Sequence, residues 1–194
     1  PAQLKEKFRH FVSKNALNID GMGIKIVEQL VEKGFVKTYA DLFTLTNKDF
    51  LKLEGFKDKS SRNLVNAIQA STKTELHRLI FAIGIRHVGE RAARLLAKEF
   101  GSLPKLMKTK ETELEDIHEI GPEMAKSWCD YFRNAKNKKE IEQLLKHIVS
   151  ASPKKSKSGT ASKNSKLSGK TFVLTGTLPS LSRREASDLI EAQG

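Results

Sequence analysis

Ile85, Arg86, His87, Val88, Gly89, Glu90, Arg91, Ala92, Ala93, Arg94, Leu95, Leu96 is the stretch that decides the fold. An apolar residue, two polar ones, a second apolar residue and a glycine precede a helical run with small residues on its inner face. That order describes a short hairpin feeding a helix start. The first turn of a helix has unpaired N–H groups and the positive end of the macrodipole, so it holds a phosphate without reading any base.

The same frame recurs three times. Ile19, Met22, Gly23, Val27 and Leu30 align with Ile85, Val88, Gly89, Ala93 and Leu96. Leu53, Phe56, Lys57, Ser61 and Leu64 form another copy, and Ile117, Ile120, Gly121, Ala125 and Trp128 the last. The copies start at Ile19, Leu53, Ile85 and Ile117, spaced by 34, 32 and 32 residues, which is an internal repeat.

The 194 residues suffice for one sizeable domain and part of another; with no initial Met and a stop at Gly194 inside a motif, the chain reads as a fragment. Thirty-five Lys and Arg against 23 Asp and Glu leave a net charge of +12. That balance favours a polyanionic partner, the plainer alternative being a basic, solvated surface. A single cysteine, Cys129, excludes an internal disulfide and a Cys-based zinc site within the chain. Beside Trp128 it reads as a small core residue in a reducing cytosol. No apolar run approaches the ~20 residues that span a bilayer.

Leu4, Phe8, Phe11 and Val12 fall at helical spacing and predict an amphipathic helix ending near Asn15. Gly34 is placed to end the helix after the first hairpin. Thr38 with Asp41, Thr46 with Asp49 and Thr72 with Glu75 have the spacing of capping boxes. Leu106, Met107, Leu114 and Ile117 repeat Leu42, Phe43, Phe50 and Leu53 at an offset of 64 residues, which predicts a duplicated pair of hairpins. Ile141, Leu144, Leu145 and Ile148 make one more apolar helix face, completing an all-α domain over residues 1–149. Residues 150–169 contain seven Ser, five Lys, no acid and one large apolar residue, Leu167, and read as a flexible basic linker. Beyond it, Thr171 to Thr175 predict a buried strand, Gly176 to Ser182 a turn and Arg184 to Ala192 a helix. One strand and one helix do not cover both faces of a sheet, so residues 170–194 are a truncated α/β segment.

The four repeats resemble helix-hairpin-helix motifs. Their order, with His10, Phe11, Val12, Ser13 leading into Ile19, Asp20, Gly21, Met22, Gly23, is similar to the C-terminal half of bacterial NAD-dependent DNA ligases. So are Ala40, Asp41, Leu42, Phe43 and the run Gly84, Ile85, Arg86, His87, Val88, Gly89, Glu90. Gly169, Lys170, Thr171, Phe172, Val173, Leu174, Thr175, Gly176 resembles the start of that family's BRCT domain. The resemblance implies a cytoplasmic, nucleoid-associated enzyme of replication and repair. It seals nicks by passing an adenylyl group from NAD to a lysine and then to the 5′ phosphate, with magnesium and a structural zinc held outside this chain. The segment itself is implied to be non-catalytic, to bind no cofactor or metal, and to grip duplex DNA, nicked, as a monomer through phosphates across the minor groove.

Gly21, Gly23, Gly55, Gly89 and Gly121 are the hairpin positions where a side chain would block close approach to a phosphate, or where φ is free to be positive. Read without a ligand they are ordinary helix–helix turns. Lys25, Lys59, Arg86, Arg91 and Lys126 flank the turns as phosphate contacts or as solvated surface charges. His87 takes the place of Gly21 and is able to donate to a phosphate or sugar oxygen. In the last segment Thr175 and Gly176 match the family's strand-end Thr-Gly, which binds phosphate in some members. Lys57 departs from the frame's glycine, and the expectation is that the second hairpin has a different turn or a strained one. Two other classes fit parts of the pattern: a self-contained helix-hairpin-helix repair enzyme, and a helical protein-interaction scaffold built from repeats of this length.

Overall fold

The structure, a computed structural model, describes residues 2–149 together with Phe172, Val173, Gly176, Ala186, Leu189 and Ile190. The chain divides into two units, Pro1–Pro153 and Lys154–Gly194.

The regular elements among the first unit's described residues are all helices, joined by turns. Helix α1 (Ala2–Val12) buries Phe8, Phe11 and Val12 on one stripe. Helix α2 (Ile24–Glu32) ends where Gly34, at φ +70°, lets Phe35 N–H return to Leu30 O at 2.9 Å. A 3-10 helix (Tyr39–Thr44) and α3 (Asn47–Phe50) follow. Each starts at the expected Thr–Asp pair: Thr38 N–H donates to Asp41 Oδ2 at 2.7 Å and Thr46 N–H to Asp49 Oδ2 at 3.0 Å.

Bonds from the Thr46 hydroxyl and then its amide lower the pKa of Asp49. The cap's contribution is therefore present above the ordinary aspartate range and is lost as pH falls through the lowered value. Asp49→Ala is expected to destabilise the chain by about 1 kcal/mol in urea unfolding at neutral pH. The gap between variant and parent should narrow in acid.

Helix α4 (Asp58–Ser71) leads to α5 (Leu76–Ala82). The Thr72–Glu75 box expected between them does not form. Thr72 ends α4, its hydroxyl donating to Gln69 O at 2.7 Å, and the N-cap of α5 is Glu75. The helix has used the threonine at its C-terminus, where a hydroxyl reaches back along the preceding turn.

The second half follows the duplication: α6 (Glu90–Phe100) corresponds to α2, α7 (Leu103–Leu106) to the 3-10 helix, α8 (Glu111–Glu115) to α3 and α9 (Pro122–Arg133) to α4. Helix α10 (Ala135–Leu144), opened by Asn134 accepting from Lys136 N–H at 2.9 Å, packs on α9 and the 3-10 helix.

Helices pack in the pairs α1 on α2, α3 on α4, α5 on α6 and α8 on α9, so each frame turn lies between two packed helices. A single core joins these pairs, with Phe11, Tyr39, Ile80, Leu96 and Trp128 all buried in it. Trp128 Nε1 donates to Leu106 O at 3.1 Å, satisfying its one polar atom. Cys129 is half-buried beside it, and burial pushes its thiol pKa up.

Polar ties cross between distant segments. His10 Nε2 donates to Phe81 O at 2.7 Å. Arg78 Nε donates to Ala16 O at 2.8 Å, with a second bond from its Nη2 to Lys14 O. Buried Glu140 takes Lys7 Nζ at 2.7 Å and Tyr39 N–H at 3.1 Å. Among the described residues no helix is long and apolar enough to cross a membrane.

In the second unit Ala186, Leu189 and Ile190 are helical, as expected. Phe172 and Val173 correct the expected buried strand: both are exposed and in no strand. A strand needs a neighbour to take its backbone hydrogen bonds, and there is no strand among the described residues. The rest of that strand, the linker from 150 to 169 and Thr175 lie outside the described residues.

Candidate nucleic-acid interface

The four frame turns have one backbone geometry. The fourth residue donates its N–H to the carbonyl of the first: Met22 to Ile19 at 3.2 Å, Phe56 to Leu53 at 3.4 Å, Val88 to Ile85 at 3.1 Å and Ile120 to Ile117 at 3.0 Å. Met22, Val88 and Ile120 are buried and Phe56 half-buried, so apolar flanks pin each turn to its helix pair. The third residue is left-handed throughout: Gly21 at φ +77°, Gly55 at +81°, His87 at +67° and Glu119 at +76°. The fifth is the N-cap of the next helix with extended backbone: Gly23 at φ −74°, Lys57 at −129°, Gly89 at −80° and Gly121 at −84°.

Two expectations are corrected by this. Positive φ belongs to Gly21 and Gly55 but not to Gly23, Gly89 or Gly121, whose places an L residue adopts without strain. The turn at Lys57 is neither different nor strained, because the position needs no left-handed residue. Its amide donates to Ser60 Oγ at 2.9 Å. A Cβ at Gly23, Gly89 or Gly121 would meet no atom of the chain within 4 Å, so nothing inside the protein demands glycine there.

What the glycines leave open is the start of each helix. After the first turn the helical ladder begins with Ile26 and Val27 N–H donating to Gly23 O at 3.1 Å, so the amides of Ile24 and Lys25 precede it and face outward. The third turn repeats this ahead of Ala93 N–H on Gly89 O at 2.9 Å. The fourth has one donor fewer, since Pro122 carries no N–H. First-turn acids also differ: α2 has none, whereas α4 has Asp58, α6 Glu90 and α9 Glu123. A carboxylate there already answers the helix dipole and repels an incoming anion. The first turn is therefore the most anion-receptive.

Lys25, Lys59, Arg86, His87 and Lys126 are all exposed at or near the turns. Arg91 is not free: its Nη2 pairs with Glu119 Oε1 across the third and fourth turns. The first and second turns are joined differently, by Glu54 N–H donating to Gln29 Oε1 at 2.7 Å. Gly21, Lys25, Gly55 and Ser60 line one groove between them. Gly176 has φ +77° in the second unit, described apart from these residues.

Three residues of this surface were not singled out in the sequence. Arg62 and Arg94 are exposed at the register of Lys126, the fifth residue of the helix after the turn. Aligning the copies five residues further would have found them. Ile24 is half-exposed immediately after Gly23, where the other copies have Asp58, Glu90 and Pro122. An apolar residue in that column was the available signal.

Residues 13–70 match the family model of a SAM-like helix-hairpin-helix tandem, and residues 78–141 that of the helix-hairpin-helix motif. The first span contains the turns at Gly23 and Lys57, the second those at Gly89 and Gly121. All of the chain is 46% identical to part of the DNA ligase of Geobacter metallireducens, covering 28% of that protein. It is likewise 46% identical to that of Anoxybacillus flavithermus, covering 29%, and 47% identical to that of Desulforudis audaxviator, covering 28%. The chain thus spans a little over a quarter of the length of these relatives.

Proposed function

We propose that this chain, the helix-hairpin-helix portion of a bacterial-type DNA ligase, is the part of the enzyme that grips duplex DNA at a nick without reading its sequence. The observation that carries this reading is the repetition, at four exposed helix starts, of one turn whose amides face outward on a chain of net charge +12. Backbone amides and Lys or Arg side chains address phosphates, which hold no base information. Two pairs of hairpins, the first with the second and the third with the fourth, would straddle the minor groove. Arg62, Arg94 and Lys126 would extend the contact along the backbone, and Ile24 would lie against the sugars.

The parent enzyme would seal nicks in replication and repair, in the cytoplasm, with NAD as adenylyl donor, and the chain would act as a monomer. The zinc and magnesium of the parent would be held by its other parts. The segment from Gly169 to Gly176 would begin a BRCT domain, with residues 150–169 as linker. The matched models are helix-hairpin-helix models in both halves and the relatives are ligases, which disfavours an interaction scaffold or a self-contained repair enzyme.

A salt titration tests the reading. If each turn displaces about one counterion, log affinity falls against log salt with a slope of about −3.6. Duplexes of different sequence should bind alike. A flat titration, or strong preference for one duplex, would remove the proposal.

A further inference from the structure

Glu119 occupies the left-handed position of the fourth turn at φ +76°, where the first two turns have Gly21 and Gly55. His87 takes the same position in the third turn at +67°, so the backbone tolerates a side chain there; what sets Glu119 apart is an interaction that glycine does not make. Its Oε1 receives Arg91 Nη2 from the helix start of the third turn, and His118 Nδ1 lies 3.8 Å from the same oxygen. Gly55 and Lys25, the matching positions in the other pair of turns, form no such bridge. An acid therefore stands on the surface proposed to meet phosphates, holding the cation best shaped to bind one.

We propose that Glu119 is a stand-in for a DNA phosphate: in the free chain its carboxylate occupies Arg91, and in the complex a phosphate displaces it and takes the guanidinium. The inference rests on the duplex-binding reading above. The Arg91 side chain is 82% exposed, so a phosphate reaches it without moving the fold. Glu119 belongs to a turn pinned by Ile117 and Ile120 and stays beside the arriving phosphate, where like charges repel. The residue limits the grip of the second pair of turns, which suits a sequence-independent clamp that must also let go.

The test measures duplex affinity of the 194-residue chain across salt for the parent, Glu119→Gln, Arg91→Gln and the double variant. Glu119→Gln should bind about three- to fivefold tighter. Its slope should be steeper by about 0.9, one more counterion released. Arg91→Gln alone should weaken binding, since the phosphate loses its guanidinium and Glu119 is left unpaired beside it, and in the double variant it should remove the gain. Glu119→Gly, which suits the left-handed backbone, guards against a folding defect and should also tighten binding, with thermal melting as the control. Unchanged or weaker binding by both Glu119 variants in folded protein would overturn the inference while parent binding leaves the duplex-grip reading standing. A parent that binds no duplex removes both.

Discussion

Gly23→Val should lower affinity for duplex DNA by at least about tenfold, roughly 1.4 kcal/mol of binding, while leaving the chain folded. The added Cβ meets nothing of the protein within 4 Å, and the backbone at φ −74° accepts it. The stability cost is thus limited to a poorer N-cap, about 1 kcal/mol or less. What it would obstruct, in the proposed complex, is the approach of a phosphate to the amides of Ile24 and Lys25. Gly89→Val and Gly121→Val should weaken binding less, because Glu90 and Glu123 already offset their helix ends. Gly21→Val and Gly55→Val should behave in the opposite way, costing stability first, since φ of +77° and +81° suits no β-branched residue. Filter or anisotropy titrations beside thermal melts separate the two classes. If Lys57→Ala proves the most damaging change in folded protein, the lysine side chain rather than the turn amides is the principal contact.

The largest effect on stability is expected at Glu140→Ala, about 3 kcal/mol in urea unfolding. This carboxylate, 8% exposed, is bound by Lys7 from α1 and by the amide of Tyr39 at the start of the 3-10 helix. Lys7 Nζ also lies 4.2 Å over the Tyr39 ring. Burial holds the Tyr39 phenol pKa well above its ordinary value, so it remains a donor to Ile83 O at 2.9 Å. Removing Glu140 leaves the Tyr39 amide buried without an acceptor and Lys7 without its counter-charge. Glu140→Gln retains an oxygen for the amide and should lose about half as much. Equal losses for the two variants would mean that the ion pair, and not the amide, carries the interaction.

The helices and turns were legible in the sequence because their determinants are close together along the chain. Thr38 meets Asp41, Thr46 meets Asp49 and each frame turn closes between its first and fourth residues, so a fixed spacing is enough to announce them. Thr72 with Glu75 had the same spacing and misled, since a hydroxyl at a helix end serves the preceding turn equally well.

The glycines misled in a subtler way. Gly23, Gly89 and Gly121 catch the eye, but the left-handed residue is two places earlier and is a histidine in one copy and a glutamate in another. Only the copies at Gly21 and Gly55 displayed that requirement as glycine.

By itself the sequence determined the repeat, the helical class, the caps and the basic character, all of them properties of local pattern and composition. The tertiary structure alone decided that Glu140 would meet Lys7 and Tyr39, that Arg78 would hold Ala16, and that Arg91 would be claimed by Glu119. Those partners stand far apart in the chain and meet only because packed helices fix where each side chain ends. Hydrophobic spacing shows which face of a helix is buried, but not which polar group waits on the neighbouring helix.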